Sequence, residues 1–175
     1  MADFSAADSA FMARALRLAE RGIYTAHPNP MVGCVLVRDG EIVGEGWHRR
    51  AGEAHAEINA LAAAGERARA ATAYLTLEPC SHHGKTPPCA PALVEAGVSE
   101  VVIAMQDPFP AVSGNGRAAL EAAGIRVRSG LMQAAAAALN AGFLSRVREG
   151  RPFVRLKVAS GGTVSVSSRP VTLLE

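Results

Sequence analysis

The sequence predicts an α/β fold, a three-layer α/β/α sandwich on a mixed central sheet. Two observations predict it: an early β-hairpin and, after it, helices that alternate with short apolar strands. This alternation is typical of later strands that run parallel to one another. With 175 residues, the chain is long enough for one such domain with a short appendage.

The first half of the chain predicts a helix, a hairpin and a second helix. Apolar side chains recur at helical spacing before Gly22, and Asp39-Gly40 is a typical hairpin turn between two strands. The helix after the hairpin ends at Gly65. In chain order, these elements are expected over residues 8–21 (with Asp8 or Ser9 as the cap), 32–37, 41–47 and 54–64.

The second half predicts three strands that alternate with three helices. Pro87-Pro88 opens the first of these helices, and the pattern changes after Gly150. We therefore expect one domain over residues 1–150 and an appendage over residues 151–175. The strands are expected over residues 73–77, 101–105 and 125–128, and the helices over residues 89–96, 117–123 and 133–144.

Composition and charge exclude several classes of protein. Apolar residues make up 49% of the chain, which excludes a disordered protein, and no apolar run reaches the roughly 18 residues that span a bilayer. The N-terminus lacks the basic start of a signal peptide. A net charge of +2 gives no reason to expect a nucleic-acid or membrane partner. We therefore expect a cytoplasmic protein that binds neither nucleic acid nor membranes.

Three side chains form a candidate zinc site: His55, Cys80 and Cys89, the first and last at predicted helix starts. One imidazole and two thiolates suit Zn²⁺, and three protein ligands leave the fourth tetrahedral position to water, as in catalytic sites. Two thiolates cancel the charge of the ion, so the bound water needs a nearby base. Glu57, two residues from His55, is the candidate for that base.

The segment between the two cysteines leaves other ligand sets open. Cys80 and Cys89 enclose SHHGKTPP, so His82 and His83 are alternative ligands. With one of them, the zinc would have four protein ligands and a purely structural role. Cys34 lies in an apolar strand and is expected to be a small buried side chain.

Four segments of the chain resemble, in order, the deaminase domain of the bifunctional riboflavin-biosynthesis deaminase/reductase family: PNPMVGCVLV, GEGWHRRAGEAHAEINAL, LEPCSHHGKTPPC and QDPFPAVSGNG. The match extends roughly over residues 8–150, and PCSHHGKTPPC is its most specific element. His-x-Glu followed by Pro-Cys-x-x-Cys is also the signature of zinc deaminases. In this chain Cys80 and Cys89 enclose eight residues instead of two. The resemblance implies a cytidine-deaminase-like fold with zinc as cofactor.

The resemblance also implies a reaction, a hydrolytic deamination in riboflavin biosynthesis. The substrate would be the phosphorylated pyrimidine 2,5-diamino-6-(5-phosphoribosylamino)pyrimidin-4(3H)-one. The products would be 5-amino-6-(5-phosphoribosylamino)uracil and ammonia. Proteins of this fold are usually dimers or tetramers, so the resemblance implies a homodimer or a higher homo-oligomer.

Carried over by position, the family's site residues fall on eight positions of this chain. His55, Cys80 and Cys89 would hold zinc, and Glu57 would move protons. An asparagine offers donors and acceptors to a pyrimidine edge, and a lysine offers a point charge to a phosphate. The residues expected to line the substrate pocket are Asn29, His48, His82 and Lys85.

Two features depart from the family pattern. Phe109 stands where the family usually has a polar residue, often asparagine, in a region that contacts the phosphoribosyl group. RPFVRLKVAS resembles the first strand of the family's reductase domain, but too little chain follows to complete one, so no NADPH-dependent activity is expected. The alternatives are a zinc deaminase of another base, nucleoside or modified pyrimidine, and a non-catalytic zinc-stabilised partner of a separate reductase.

Overall fold

The computed structural model of the chain describes residues 3–81, 87–109 and 113–156. Its strands are β1 (Gly33–Arg38), β2 (Glu41–Trp47), β3 (Thr72–Leu75), β4 (Glu100–Ile103) and β5 (Arg126–Ser129). They form one sheet in the order β2-β1-β3-β4-β5. β1 is antiparallel to β2 and β3, whereas β3, β4 and β5 are parallel. The predicted mixed sheet with parallel later strands is confirmed.

In the described part of the chain, six α-helices cover the two faces of this sheet. They are α1 (Ala6–Ala19), α2 (Ala56–Ala64), α3 (Cys89–Glu95), α4 (Asn115–Ala122), α5 (Gln133–Leu139) and α6 (Ala141–Glu149). One apolar cluster joins the sheet to α2, α3 and α4, and a second joins it to α1, α5 and α6. Alternate residues of β1 serve the two clusters, Cys34 the first and Val35 the second. The three-layer α/β prediction is confirmed, as is the burial of Cys34.

The first helix begins earlier than predicted, and its predicted caps are wrong. Ser5 is the N-cap: its hydroxyl accepts a hydrogen bond from the Asp8 backbone N–H, while the Asp8 carboxylate accepts one from the Ser5 backbone N–H. This is a reciprocal capping box. Asp8 therefore lies inside the first turn and not before it. The apolar periodicity starts after the cap, which is why it placed the helix start too late.

The helix expected over residues 133–144 is in fact two helices. α5 ends at Leu139, α6 begins at Ala141, and Asn140 between them has φ −102° and ψ 24°. The side chain of Asn140 is only 2% exposed and bonds the backbone of a distant loop. Tertiary hydrogen bonds thus interrupt what the alanine-rich sequence predicts as a continuous helix.

A close approach at Gly46 sets the position of α2. A Cβ atom at this residue would lie 2.2 Å from the carbonyl oxygen of Ala56 and 2.4 Å from the backbone nitrogen of Ala60. Only glycine allows this contact. The start of α2, which carries His55 and Glu57, is therefore fixed against the end of β2.

The chain beyond α6 is described only as far as residue 156. Residues 152–156 have no regular secondary structure and are exposed. Residues 157–175 lie outside the described part, so the prediction of a separate appendage over residues 151–175 stays a prediction. Among the described residues, no helix is both long enough and apolar enough to cross a membrane.

Candidate metal centre and active site

Three chain segments bring the predicted metal ligands together. His55 is the N-cap residue of α2, with φ −72° and ψ 167°, and Cys89 is the first residue of α3. Cys80 lies on the segment that leaves the end of β3. Cys89 is buried, whereas His55 and Cys80 are half-buried. We call His55, Cys80 and Cys89 the metal cluster.

The donor atoms of the metal cluster have the spacing that a zinc ion requires. The Nδ1 atom of His55 lies 3.3 Å from Cys89 Sγ and 3.6 Å from Cys80 Sγ. All three donor atoms lie within 4.8 Å of one another. Zn–S bonds of about 2.3 Å and Zn–N bonds of about 2.05 Å at a tetrahedral angle place nitrogen about 3.6 Å from sulfur. The side chains present therefore fit zinc, and they face a single point with His55 Nδ1 as the ligand nitrogen.

The start of α3 favours a thiolate at Cys80. The backbone N–H of Cys89 donates a hydrogen bond of 3.3 Å to Cys80 Sγ. The Cys89 thiol has the largest effect on the pKa of Cys80 and lowers it. Burial acts in the opposite direction, and the His55 ring and the Cys89 backbone N–H lower the pKa further. The same contact between the two sulfurs, together with burial, raises the pKa of the Cys89 thiol. The surroundings of Cys80 thus favour its thiolate form, whereas those of Cys89 favour the thiol.

Glu57 lies in the first turn of α2, next to the metal cluster, and only 3% of it is exposed. Burial raises the pKa of Glu57 to about 7, although its own backbone N–H and the neighbouring His55 act in the opposite direction. A carboxylate with a pKa near neutrality can both accept and return a proton. The structure therefore gives Glu57 the environment of a general acid and base.

Asn29 and His48 form a hydrogen-bonded pair beside the metal cluster. Asn29 Nδ2 lies 3.0 Å from His48 Nε2, and His48 Nδ1 lies 3.2 Å from the carbonyl oxygen of Ala54. A carbonyl oxygen only accepts, so Nδ1 carries the proton and Nε2 accepts from the Asn29 amide. The His48 ring meets the His55 ring edge-on, with centroids 5.3 Å apart. Burial lowers the pKa of His48, which favours this neutral form.

Two predicted pocket residues, His82 and Lys85, lie outside the described residues and stay predictions, as does the alternative ligand His83. Phe109 is described and its side chain is 46% exposed. The structure therefore brings together six of the predicted site residues, namely His55, Glu57, Cys80, Cys89, Asn29 and His48.

Sequence reasoning missed Glu78, two residues before Cys80. Glu78 is 4% exposed, and its carboxylate accepts hydrogen bonds from the backbone N–H groups of Asp107, Gly114 and Arg117. It therefore caps α4 and holds the segment before that helix against the segment that carries Cys80. An acidic residue between apolar Leu77 and Pro79 was the available signal.

Comparisons with known proteins agree with this geometry. Residues 5–105 match the family described as the cytidine and deoxycytidylate deaminase zinc-binding region. The chain belongs to this deaminase family. Residues 5–105 include the metal cluster and Glu57, so the zinc expected from the sequence is also the metal of the family.

Several individual proteins are similar to the chain over most of its length. The chain is 61% identical over 153 residues to the riboflavin biosynthesis protein RibD of Escherichia coli, covering 87% of this chain and 42% of the relative. It is 52% identical to the diaminohydroxyphosphoribosylamino-pyrimidine deaminase of Buchnera aphidicola (subspecies Schizaphis graminum), covering 83% of this chain and 99% of the relative. A RibD structure from Acinetobacter baumannii (form 2) matches with a TM-score of 0.84 and 53% identity, covering 86% and 42% of the two chains.

The relatives differ in length. The chain spans about 42% of the length of the RibD proteins that it matches. The Buchnera protein, by contrast, is matched almost completely. The resemblance to the deaminase domain of the riboflavin-biosynthesis family is thereby confirmed.

Proposed function

We propose that the chain hydrolyses 2,5-diamino-6-(5-phosphoribosylamino)pyrimidin-4(3H)-one to 5-amino-6-(5-phosphoribosylamino)uracil and ammonia. The observation that carries this proposal is the spacing of the three donor atoms of the metal cluster beside the buried carboxylate of Glu57. The Buchnera relative, which is named as a diaminohydroxyphosphoribosylamino-pyrimidine deaminase, supports this choice of substrate.

In this proposal, His55, Cys80 and Cys89 hold zinc, which when bound supplies the Lewis acidity that makes water a stronger nucleophile. Glu57 takes the first proton from water as the water oxygen bonds to C2 of the pyrimidine, and hands it to the ring nitrogen. Glu57 then moves the hydroxyl proton to the exocyclic nitrogen. The bond between C2 and the exocyclic nitrogen breaks, ammonia leaves and the carbonyl group forms at C2.

Asn29 and His48 have different roles in the proposed site. Asn29 Nδ2 is held by His48, which leaves the rest of the amide to bind a pyrimidine edge. His48 is 3% exposed and both its ring nitrogens are engaged, so we assign it to positioning Asn29. His82 and Lys85 remain our candidates for further substrate contacts, Lys85 for the phosphate.

Replacement of Glu57 by glutamine tests the reaction. The amide keeps the size of the side chain but cannot accept and return a proton, so turnover should fall at least 100-fold while one zinc per chain is retained. Product formation is followed by mass spectrometry, and zinc by elemental analysis. The matched control is Glu53→Gln, an exposed glutamate just before α2, which should keep both turnover and zinc.

Near-normal turnover of Glu57→Gln would contradict the proposed mechanism. A wild-type protein that binds zinc but releases no ammonia from the pyrimidine would contradict the proposed function. A zinc with four protein ligands, seen by X-ray absorption, would favour the structural module instead.

The exposed ring of Phe109 favours a second candidate, a zinc deaminase of an unphosphorylated pyrimidine, because a phenyl ring offers no hydrogen bond to a sugar phosphate. The two candidates differ in their dependence on phosphate. We expect kcat/KM for the phosphorylated pyrimidine to exceed that for its dephosphorylated form at least tenfold. Equal values would favour the second candidate.

We also propose that residues 1–150 form the deaminase domain, that residues 151–175 are an appendage, and that the protein is a homodimer or larger homo-oligomer. The exposed apolar side chains of Phe153, Val154 and Leu156, which are 49%, 78% and 76% exposed, support an additional contact at this segment. Light scattering after size-exclusion chromatography tests the oligomeric state, and a monomer at micromolar concentration would contradict it.

A further inference from the structure

The interruption between α5 and α6 is occupied by a buried polar side chain. Asn140 is both the C-cap residue of α5 and the N-cap residue of α6, and 2% of it is exposed. Its backbone still continues the helical pattern, since its N–H donates to the Ala136 carbonyl and its carbonyl accepts from the Leu144 N–H. A buried amide at such a place requires hydrogen-bond partners of its own.

These partners belong to a loop more than 100 residues away in the chain. The backbone N–H of Met31 donates to Asn140 Oδ1 at 2.8 Å, and Asn140 Nδ2 donates to the Met31 carbonyl at 2.9 Å. Both polar groups of one backbone residue are thus bound by one side chain. Because they engage both the N–H and the carbonyl, these two hydrogen bonds fix the orientation of the Met31 backbone as well as its position.

Met31 lies two residues after Asn29, in the loop formed by residues 26–32, which we call the 26–32 loop. The loop is closed internally by a hydrogen bond from the Asn29 N–H to the Ala26 carbonyl at 2.8 Å. On its other side, the Arg146 guanidinium of α6 donates to the Pro28 carbonyl at 2.6 Å. Asn140 and Arg146 therefore bind the backbone of the loop, whereas the Asn29 side chain points to His48.

We propose that Asn140 is a positioning residue that sets the orientation of Asn29 by binding the backbone of Met31. This inference rests on the proposed function, in which Asn29 binds the pyrimidine. Asn140 lies outside residues 5–105, the part of the chain that matches the zinc-binding region of the family. The site thus depends on helices that the zinc-binding region itself does not contain.

Hydrogen exchange tests the contact without any substrate. In the zinc-loaded protein, Asn140→Ala should make exchange of the Met31 amide at least tenfold faster, because this amide loses its acceptor. The matched control is Leu131→Ala, which removes a buried side chain of the same apolar cluster but no bond to the 26–32 loop. Unchanged exchange at Met31 in Asn140→Ala, or an equal increase in Leu131→Ala, would overturn the proposal.

A double-mutant cycle tests whether Asn140 acts through Asn29. Asn140→Ala should lower kcat/KM about tenfold, mainly through KM, with zinc content unchanged. In the Asn29→Ala background the same change should lower kcat/KM less than twofold, because the amide that Asn140 positions is then absent. Additive losses would overturn the proposal, since they would mean that Asn140 acts through general stability. Leu131→Ala should be additive with Asn29→Ala.

The two experiments separate this inference from the proposed function. If the wild-type protein does not deaminate the pyrimidine, the proposed function fails, and the exchange of Met31 alone decides whether Asn140 holds the loop. If the wild type is active and the cycle is additive, the proposed function stands and the positioning role fails.

Discussion

Two buried clusters of titratable side chains in this protein differ in whether the carboxylate pKa is lowered or raised. We call the first the Asp8 cluster, formed by Asp8, Tyr74, Glu100 and Arg128. Arg128 donates to Glu100 Oε1 at 2.6 Å and to Asp8 Oδ1 at 3.1 Å, and the Tyr74 hydroxyl donates to Asp8 Oδ1 at 2.7 Å. The second is the metal cluster with Glu57, where burial outweighs the groups that favour the charged carboxylate.

The carboxylates show the difference most clearly. Burial raises the pKa of both, but at Asp8 the hydrogen bonds from Arg128, Tyr74 and Ser5 together outweigh burial and the net pKa falls. At Glu57 burial prevails and the pKa rises to about 7. The Asp8 cluster contains its own cation and can stabilise the fold directly, whereas the metal cluster gathers donors around a point that a cation from outside must fill.

The largest effect is expected from Cys89→Ser in the metal cluster. A hydroxyl is a much poorer zinc ligand than a thiolate, so zinc affinity should fall at least about 100-fold and turnover should be lost. Competition with a chromogenic chelator measures the affinity. The control is Cys34→Ala, which removes the thiol buried in β1 and should leave one zinc per chain. Unchanged zinc affinity in Cys89→Ser would show that other residues bind the metal.

A smaller effect, on stability alone, is expected from Arg128→Met in the Asp8 cluster. Asp8 and Glu100, whose side chains are 11% and 8% exposed, would lose their shared cation. The free energy of unfolding should fall by about 2–3 kcal/mol, because an uncompensated buried carboxylate is costly. Urea unfolding of the metal-free protein measures it, and zinc affinity should not change.

Arg126→Met is the matched control for Arg128→Met. Arg126 also donates to Glu100, at 2.7 Å, but its side chain is 72% exposed, so its loss should cost only about 0–1 kcal/mol. Equal losses in the two variants would mean that burial of the ion pair does not matter here. A loss of zinc in Arg128→Met would contradict the separation of the two clusters.

The sequence predicted the elements whose signals are local. The Asp39-Gly40 turn fixed the hairpin, and the strand predicted over residues 41–47 is β2 (Glu41–Trp47). The helix break at Asn140 was missed because its cause lies at Met31, in a contact that no local pattern contains. The capping box of Ser5 and Asp8 was present in the sequence but stood outside the apolar pattern.

The candidate site shows the same division. Residue types were enough to select His55, Cys80 and Cys89 as candidate zinc ligands, because imidazole and thiolate donors suit zinc and His55 and Cys89 lie at predicted helix starts. His82 and His83 stayed alternatives. Distances between them required the fold, because Cys80 and His55 are 25 residues apart in the chain. The bond from Asn29 to His48 likewise appears only when the 26–32 loop meets the end of β2.

The smallest expected effect is a pH dependence that belongs to Asp8. Its pKa in the folded protein lies below its ordinary value of 3.8, so it stabilises the fold fully above that value. As the pH falls below 3.8, the unfolded chain binds the proton first and this contribution is lost.

Between pH 5 and pH 3, the metal-free wild type should lose about 1 kcal/mol more unfolding free energy than Asp8→Asn. Asp39→Asn, whose carboxylate is 90% exposed, should behave as the wild type. Equal losses in wild type and Asp8→Asn would mean that Arg128 and Tyr74 do not favour the Asp8 carboxylate.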